Sequence, residues 1–188
     1  MLQNQLFQGK LVRLCAEDVQ AVAGILSKWS RDSEYWRLLA SNPARIFSIK
    51  GNKKWLEREL DKDNPNSFDF FIKTLQDDRL IGTIGLGGVK WTHGEAFVGI
   101  GLGERDYWGK GYGTDAMRVI LRFAFIELGL HRVSLDVFEY NPRAIKSYEK
   151  AGFKHEGQMR QMLHRAGRRW DMMFMGIKRE DWESLYGN

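Results

Sequence analysis

Tyr107–Met117 reads YWGKGYGTDAM, and Phe138–Phe153 reads FEYNPRAIKSYEKAGF. In the first stretch Gly109, Gly111 and Gly113 alternate, and Ala116, Val119, Ile120, Phe123 and Leu128 then recur at three- and four-residue steps. A glycine-rich turn therefore opens an amphipathic helix, with Gly129 placed as its C-cap. Glycines at alternate positions let backbone N–H groups point into one concavity without Cβ interference. The positive end of the helix adds to them, so the geometry favours a phosphate or pyrophosphate. A glycine-rich loop without a ligand is the bland alternative.

Two common phosphate motifs fail on spacing. A P-loop needs Gly-Lys followed by Ser or Thr, whereas Gly111 follows Lys110 and leaves no hydroxyl for a magnesium ion. A dinucleotide fingerprint, GxGxxG, belongs early in a βαβ unit, whereas this GxGxG follows antiparallel strands in mid-chain.

Working outward, His131–Phe138 reads as a strand. Asn141-Pro142 then starts a short helix that stops near Gly152, with proline in the first turn where its missing N–H costs nothing. Phe153–Leu163 and Arg168–Ile177 form a hairpin about Ala166-Gly167. On the other side, Phe68–Ile72, Leu80–Leu86 and Glu95–Leu102 make three meandering antiparallel strands. Lys10–Cys15 is a first strand that hands over to a helix through about Lys28. Trp29–Lys50 has no clear period, and Asn52–Leu60 has helical spacing with Trp55, Leu56 and Leu60 on one stripe. With no repeat, linker or low-complexity tract, this reads as one α/β domain over 1–188, its folded core about 10–180.

Composition excludes several classes. Of 188 residues, 43% are hydrophobic and 28% charged, a globular balance rather than a disordered one. The one cysteine, Cys15, excludes an intrachain disulfide framework and a thiolate-rich zinc site. No ligand spacing joins His93, His131, His155 and His164, so no metal is expected. No leader-like opening and no stretch near the roughly 18 apolar residues of a membrane span are present, which points to a cytoplasmic protein with no membrane partner. Net charge is +5, but 29 Lys and Arg are interspersed with 24 Asp and Glu, and no basic stripe marks a nucleic-acid partner.

The two quoted stretches, in this order, resemble the acetyl-CoA-binding region of the GNAT superfamily of N-acetyltransferases. They are most similar to the branch holding the ribosomal-protein-alanine and spermidine acetyltransferases. The resemblance is sharp over about Val98–Gly152 and loose before residue 65. It implies an α+β, GNAT-like fold, a mixed central sheet of six or seven strands flanked by helices. It also implies acetyl-CoA as co-substrate and an amine acceptor, and homodimers are frequent in the superfamily. By position, Trp108 stands where the family loop has Gln or Arg, and Gly111 and Gly113 take its small positions. Backbone donors from Gly109, Lys110, Gly111, Tyr112, Gly113 and Thr114 would hold the pyrophosphate. Val98, Ile100 and Leu102 would offer backbone groups to the pantetheine arm and thioester. Asn141 matches the asparagine that contacts coenzyme A, and Tyr148 the tyrosine that protonates the departing thiolate.

A phenol suits that last task, because a thiolate of pKa about 8–9 leaves more easily when a hydrogen-bonded group supplies a proton. Outside the motif, Tyr148 would read as an ordinary helix tyrosine packed on the sheet. For the base, Phe97 stands where the branch often carries glutamate. Glu95, two residues earlier and on the same strand face, is the candidate, with a solvated strand-end acid as the alternative. His93 is a second candidate and also a plain turn residue. Tyr35, Trp36 and Trp91, with Glu34, either line an acceptor groove or pack in the core. Cys15 reads as core, so transfer is expected to be direct. A catalytically silent coenzyme A-binding module on the same fold is the alternative function.

Overall fold

The computed structural model describes residues 5–60 and 64–187. Seven strands form one sheet in the order β1-β2-β3-β4-β5-β7-β6. They are β1 (Val12–Cys15), β2 (Phe68–Thr74), β3 (Leu80–Lys90), β4 (Glu95–Leu102), β5 (Arg132–Phe138), β6 (Lys154–Arg165) and β7 (Arg168–Lys178). All neighbours are antiparallel except β4 and β5, whose parallel pairing requires a crossover. Helix α4 (Tyr112–Arg122) and a π-helical stretch at Phe123–Glu127 supply it. The helical periodicity thus covers a helix whose last turn widens before Gly129 takes a left-handed φ of 66°.

Each face of the sheet is covered for a reason visible in the chain. On one face, Met117, Ile120 and Leu121 of α4 are fully buried against Ile84, Leu86, Val133 and Leu135. Burying each such side chain contributes about 1.5–3 kcal/mol. On the other lie α1 (Val19–Ser30), α2 (Ser33–Leu39) and α3 (Ile49–Leu60), with Val22, Trp29, Tyr35 and Leu56 packed on Phe71 and Leu80. Asp18 and Asp32 cap α1 and α2 by accepting from backbone N–H groups.

Several boundaries differ from the periodicity. Trp29–Lys50, without period in sequence, holds the end of α1, all of α2 and the start of α3. Its aromatics pack on one another edge-on rather than along one stripe. In α3, Leu56 is buried but Trp55 is half exposed, and the Leu60 side chain lies outside the described residues. Helix α5 (Pro142–Ala151) ends at Gly152 as the spacing implies. A closing helix, α6 (Arg179–Tyr186), carries too short a pattern to read, and it docks through Trp182 onto Phe125. Among the described residues, no helix is long and apolar enough to cross a membrane.

Candidate active site

The parallel pair is where the sheet opens. β4 meets β5 only at Glu95–Arg132, Ala96–Val133 and Phe97–Ser134. From Val98 to Leu102, β4 pairs with β3 alone, so its backbone groups on the β5 side have no ladder partner. A strand edge inside a fold is costly unless something fills it. The opening leads into a cleft of about 860 Å³, walled by Ile100, Gly101 and Leu102, the glycine loop, the start of α4, and α5.

The loop is shaped by its glycines. Gly109 and Gly111 take φ of 72° and 92°, a region that costs a residue with a Cβ. Gly111 is the N-cap of α4 and offers no side chain, so the first-turn N–H groups of that helix have no side-chain acceptor. Trp108 closes the loop from the strand side. Its Nε1 donates to the Leu102 carbonyl at 2.7 Å, tying the loop to the end of β4. Indole in place of the family Gln or Arg thus does a positioning job. Lys10, Arg118, Arg143, Lys146 and Lys150 also line the cleft, against one acid, Asp115, so basic side chains predominate there.

α5 supplies the other wall. Asn141 is its N-cap: Oδ1 accepts from the Ala144 N–H at 3.2 Å, and Nδ2 has no partner among the described residues. Thr114 and Ser147 hydroxyls share a hydrogen bond of 2.8 Å and pin α4 to α5. Tyr148 lines the cleft, packs on Phe153 with ring centroids 6.1 Å apart, and has no hydroxyl partner among the described residues. Burial, with the charge of Asp136 added, pushes its pKa well up, so the phenol stays protonated and able to donate.

The structure brings Ile100, Leu102, Trp108, Gly109, Gly111, Gly113, Thr114, Asn141 and Tyr148 to one cleft. Val98, Lys110 and Tyr112 do not line it: the Val98 side chain is buried in the core, and Tyr112 packs edge-on against Tyr107. Glu95 is placed elsewhere. It lies at the closed end of β4, about 17 Å along the strand from Ile100. There it pairs with Lys90 at 2.9 Å, a hydrogen bond that holds its pKa below the usual carboxylate value. Alternation gave the strand face correctly but not which end of the sheet opens. His93 and Trp91 sit in the turn at that same closed end. Tyr35 lines the cleft, Trp36 packs on Tyr35 and Phe47, and Glu34 is ion-paired with Arg105 at 2.6 Å.

One residue escaped the motif. Asp136, on β5, has no cationic partner among the described residues; it does not line the cleft, and its charge is felt at the Tyr148 phenol. It keeps solvent access, yet partial burial of the carboxyl raises its pKa. The sequence signal was the one acid in the strand run Val133–Phe138 (VSLDVF), on the face opposite Val133, Leu135 and Val137.

Comparison with known proteins settles the class. Residues 10–154 match the Acetyltransferase (GNAT) domain family. The chain belongs to the GNAT family of N-acetyltransferases. It is 34% identical over 160 residues to the uncharacterized N-acetyltransferase p20 of Bacillus licheniformis, covering 84% of this chain and 88% of that one. It is also 30% identical over 140 residues to the SPbeta prophage-derived uncharacterized N-acetyltransferase YokL of Bacillus subtilis strain 168, covering 74% and 76%. Among solved structures, spermidine N-acetyltransferase from Vibrio cholerae, in complex with CoA and spermine, superposes with TM-score 0.79 at 21% identity, over 91% of this chain and 97% of that one. That likeness shows a shared GNAT fold. Among the described residues of this GNAT protein, no three His, Cys, Asp or Glu side chains converge on a metal position.

Proposed function

We propose that the protein moves the acetyl group of acetyl-CoA directly to a primary amine, of a protein N-terminus or a small molecule. The observation that carries this is a single cleft in which an opened strand edge, a glycine loop flanked by basic side chains and an unpartnered phenol meet. The residues fit the co-substrate. A pyrophosphate would lie against the N–H groups of Gly109–Thr114, with Lys10, Arg118, Lys146 and Lys150 to balance its charge. The unpaired backbone of Val98–Leu102 would take the pantetheine amides as an added strand, and Asn141 would donate through Nδ2.

As the carbon–sulfur bond breaks, Tyr148 supplies a proton to the sulfur; the proton that the acylated nitrogen sheds passes into cleft water, from which Tyr148 is reprotonated. A phenol kept protonated near neutral pH is suited to this. Asp136, which lies outside the cleft lining but whose charge reaches Tyr148, takes the ammonium proton by way of water, so that a neutral amine attacks. Most of the rate would come from holding amine and thioester together.

The test is release of coenzyme A thiol from acetyl-CoA across primary amines and N-terminal peptides, with Asp136→Asn compared. Turnover on one amine class, with loss in the variant relieved as pH rises, supports the reading. Tight acetyl-CoA binding without turnover on any amine would leave the silent binding module in its place.

A further inference from the structure

Beside the main cleft lies a second recess of about 260 Å³, between α2 and the β6–β7 hairpin. Glu34, Arg37, Tyr140, Arg165 and Trp170 line it, and Leu38 lines both cavities, so the recess adjoins the main cleft. Its walls are fixed. Arg165 donates to the carbonyls of Ala40, Ser41 and Asn42 at 3.0, 2.5 and 2.8 Å, clamping the hairpin to the chain after α2. The Tyr140 hydroxyl donates to the Arg37 carbonyl at 3.0 Å, and Trp170 Nε1 to the Arg165 carbonyl at 3.2 Å.

The charges here are uneven in a telling way. The acids of α2 are already used: Arg105 holds Asp32 at 2.5 Å and Glu34 at 2.6 Å, and Asp32 also caps the helix. The arginines are not. Among the described residues, no carboxylate pairs with Arg37, Arg165 or Arg143, although Arg143 stands over the Trp108 ring at 4.0 Å at the mouth of the main cleft. Arg165 Nε is buried without a hydrogen-bond partner. A buried Nε–H without an acceptor costs energy, and the exposed Arg37 guanidinium on the same recess is available to an anion. A polycation would find the α2 carboxylates already paired with Arg105, whereas Arg37 faces the recess with no carboxylate on it.

We infer that the amine acceptor carries a carboxylate near its amino group, which enters the α2–hairpin recess and pairs with Arg37 and Arg165 while the amine faces Tyr148. This deepens the transfer reading above and rests on it. An acidic peptide N-terminus and a free amino dicarboxylate share this chemistry, and both belong in the test.

The test uses the full chain and acetyl-CoA, with free-N-terminus pentapeptides that differ only by Asp, Asn or Lys at positions two to four. Free aspartate and spermidine complete the set, and Arg37→Gln is the variant. Its side chain is exposed on α2, and its backbone contact to Tyr140 is kept. The expected result is kcat/KM at least about tenfold higher for the Asp peptide or for aspartate than for the Asn peptide, Lys peptide and spermidine. Arg37→Gln should erase that preference while leaving KM for acetyl-CoA and the rate on the Asn peptide unchanged. Preference for the peptide or for free aspartate distinguishes the two sources, and either supports the inference. Equal rates on Asp and Asn peptides, or a preference for Lys or spermidine, overturn it alone. No thiol release with any amine overturns the transfer reading and this one together.

Discussion

The Asp115 carboxylate accepts a hydrogen bond from the Leu11 N–H at 2.7 Å across 104 residues of chain. It also accepts from Lys10 and Val12 N–H groups, each at 3.1 Å, so one acid on α4 terminates the donors of the segment entering β1. Arg122, two turns on, donates to the carbonyls of Gln5, Leu6 and Gln8 at 2.7–2.8 Å. The N-terminal strap thereby fixes the helix whose first turn faces the cleft.

Asp115→Ala is expected to destabilise the protein by about 3 kcal/mol, since hydrogen bonds to a charged group are strong and buried donors are left unpaired. Urea unfolding measures this, and a shift below about 1 kcal/mol would show that water replaces the carboxylate without loss.

Glu104 stands just before the 3-10 turn at Arg105–Tyr107 that leads into the glycine loop. Burial alone would raise its pKa, but hydrogen bonds from Trp29 Nε1 at 2.7 Å and Lys28 at 2.9 Å, with Arg79 beside it, hold it below the usual value. A depressed carboxylate contributes stability that is present above its unfolded pKa and lost as pH falls through the folded one. Wild-type unfolding free energy should therefore fall from about pH 5 downward more steeply than that of Glu104→Gln. Parallel pH curves for the two proteins would contradict this.

Gly103 lies against the Trp29 ring, and a Cβ there would overlap the indole. Because Trp29 is buried and held by Glu104, it has nowhere to go. Gly103→Ala should cost about 2–3 kcal/mol by overpacking. Gly111→Ala, which meets only Leu11 Cδ1 at 3.5 Å, should cost about 1 kcal/mol through its φ alone. Thermal unfolding of the pair checks the order, and the reverse order would refute it.

Cys15 has its thiol pushed up to about 11 by burial and by a hydrogen bond to Glu17. Its thiolate fraction near pH 8 should be about 100-fold below that of a free thiol, so alkylation by iodoacetamide should be slowed accordingly. Cys15→Ser should transfer acetyl at the wild-type rate. An acetylated Cys15 in mass spectra of stalled turnover would contradict direct transfer.

What the chain made legible was what depends on local chemistry. Glycines at 109 and 111 sit at positive φ, Asn141 caps α5 next to Pro142, and Ala166-Gly167 turns the last hairpin with both residues left-handed. Such features are decided within a few residues. Period-two alternation assigns Glu95 a face of β4, but which end of that strand parts from β5 is a tertiary property, and Glu95 lies at the paired end. Asp136 and the arginine recess were hidden for the same reason. Asp136 gains meaning only from Tyr148, and Arg37 and Arg165 meet across 128 residues of chain. The aromatic segment before residue 50 had no period because Trp29, Tyr35 and Trp36 pack on one another rather than on one stripe.

Tyr148→Phe tests the central claim most directly, with single-turnover acetyl transfer and acetyl-CoA affinity measured on the same protein. Removing only the hydroxyl should lower the rate of the chemical step by about 10²–10³-fold, the range of a positioned general acid, with Kd for acetyl-CoA and stability unchanged. A wild-type rate in the variant, or a loss wholly explained by weaker acetyl-CoA binding, would contradict the account.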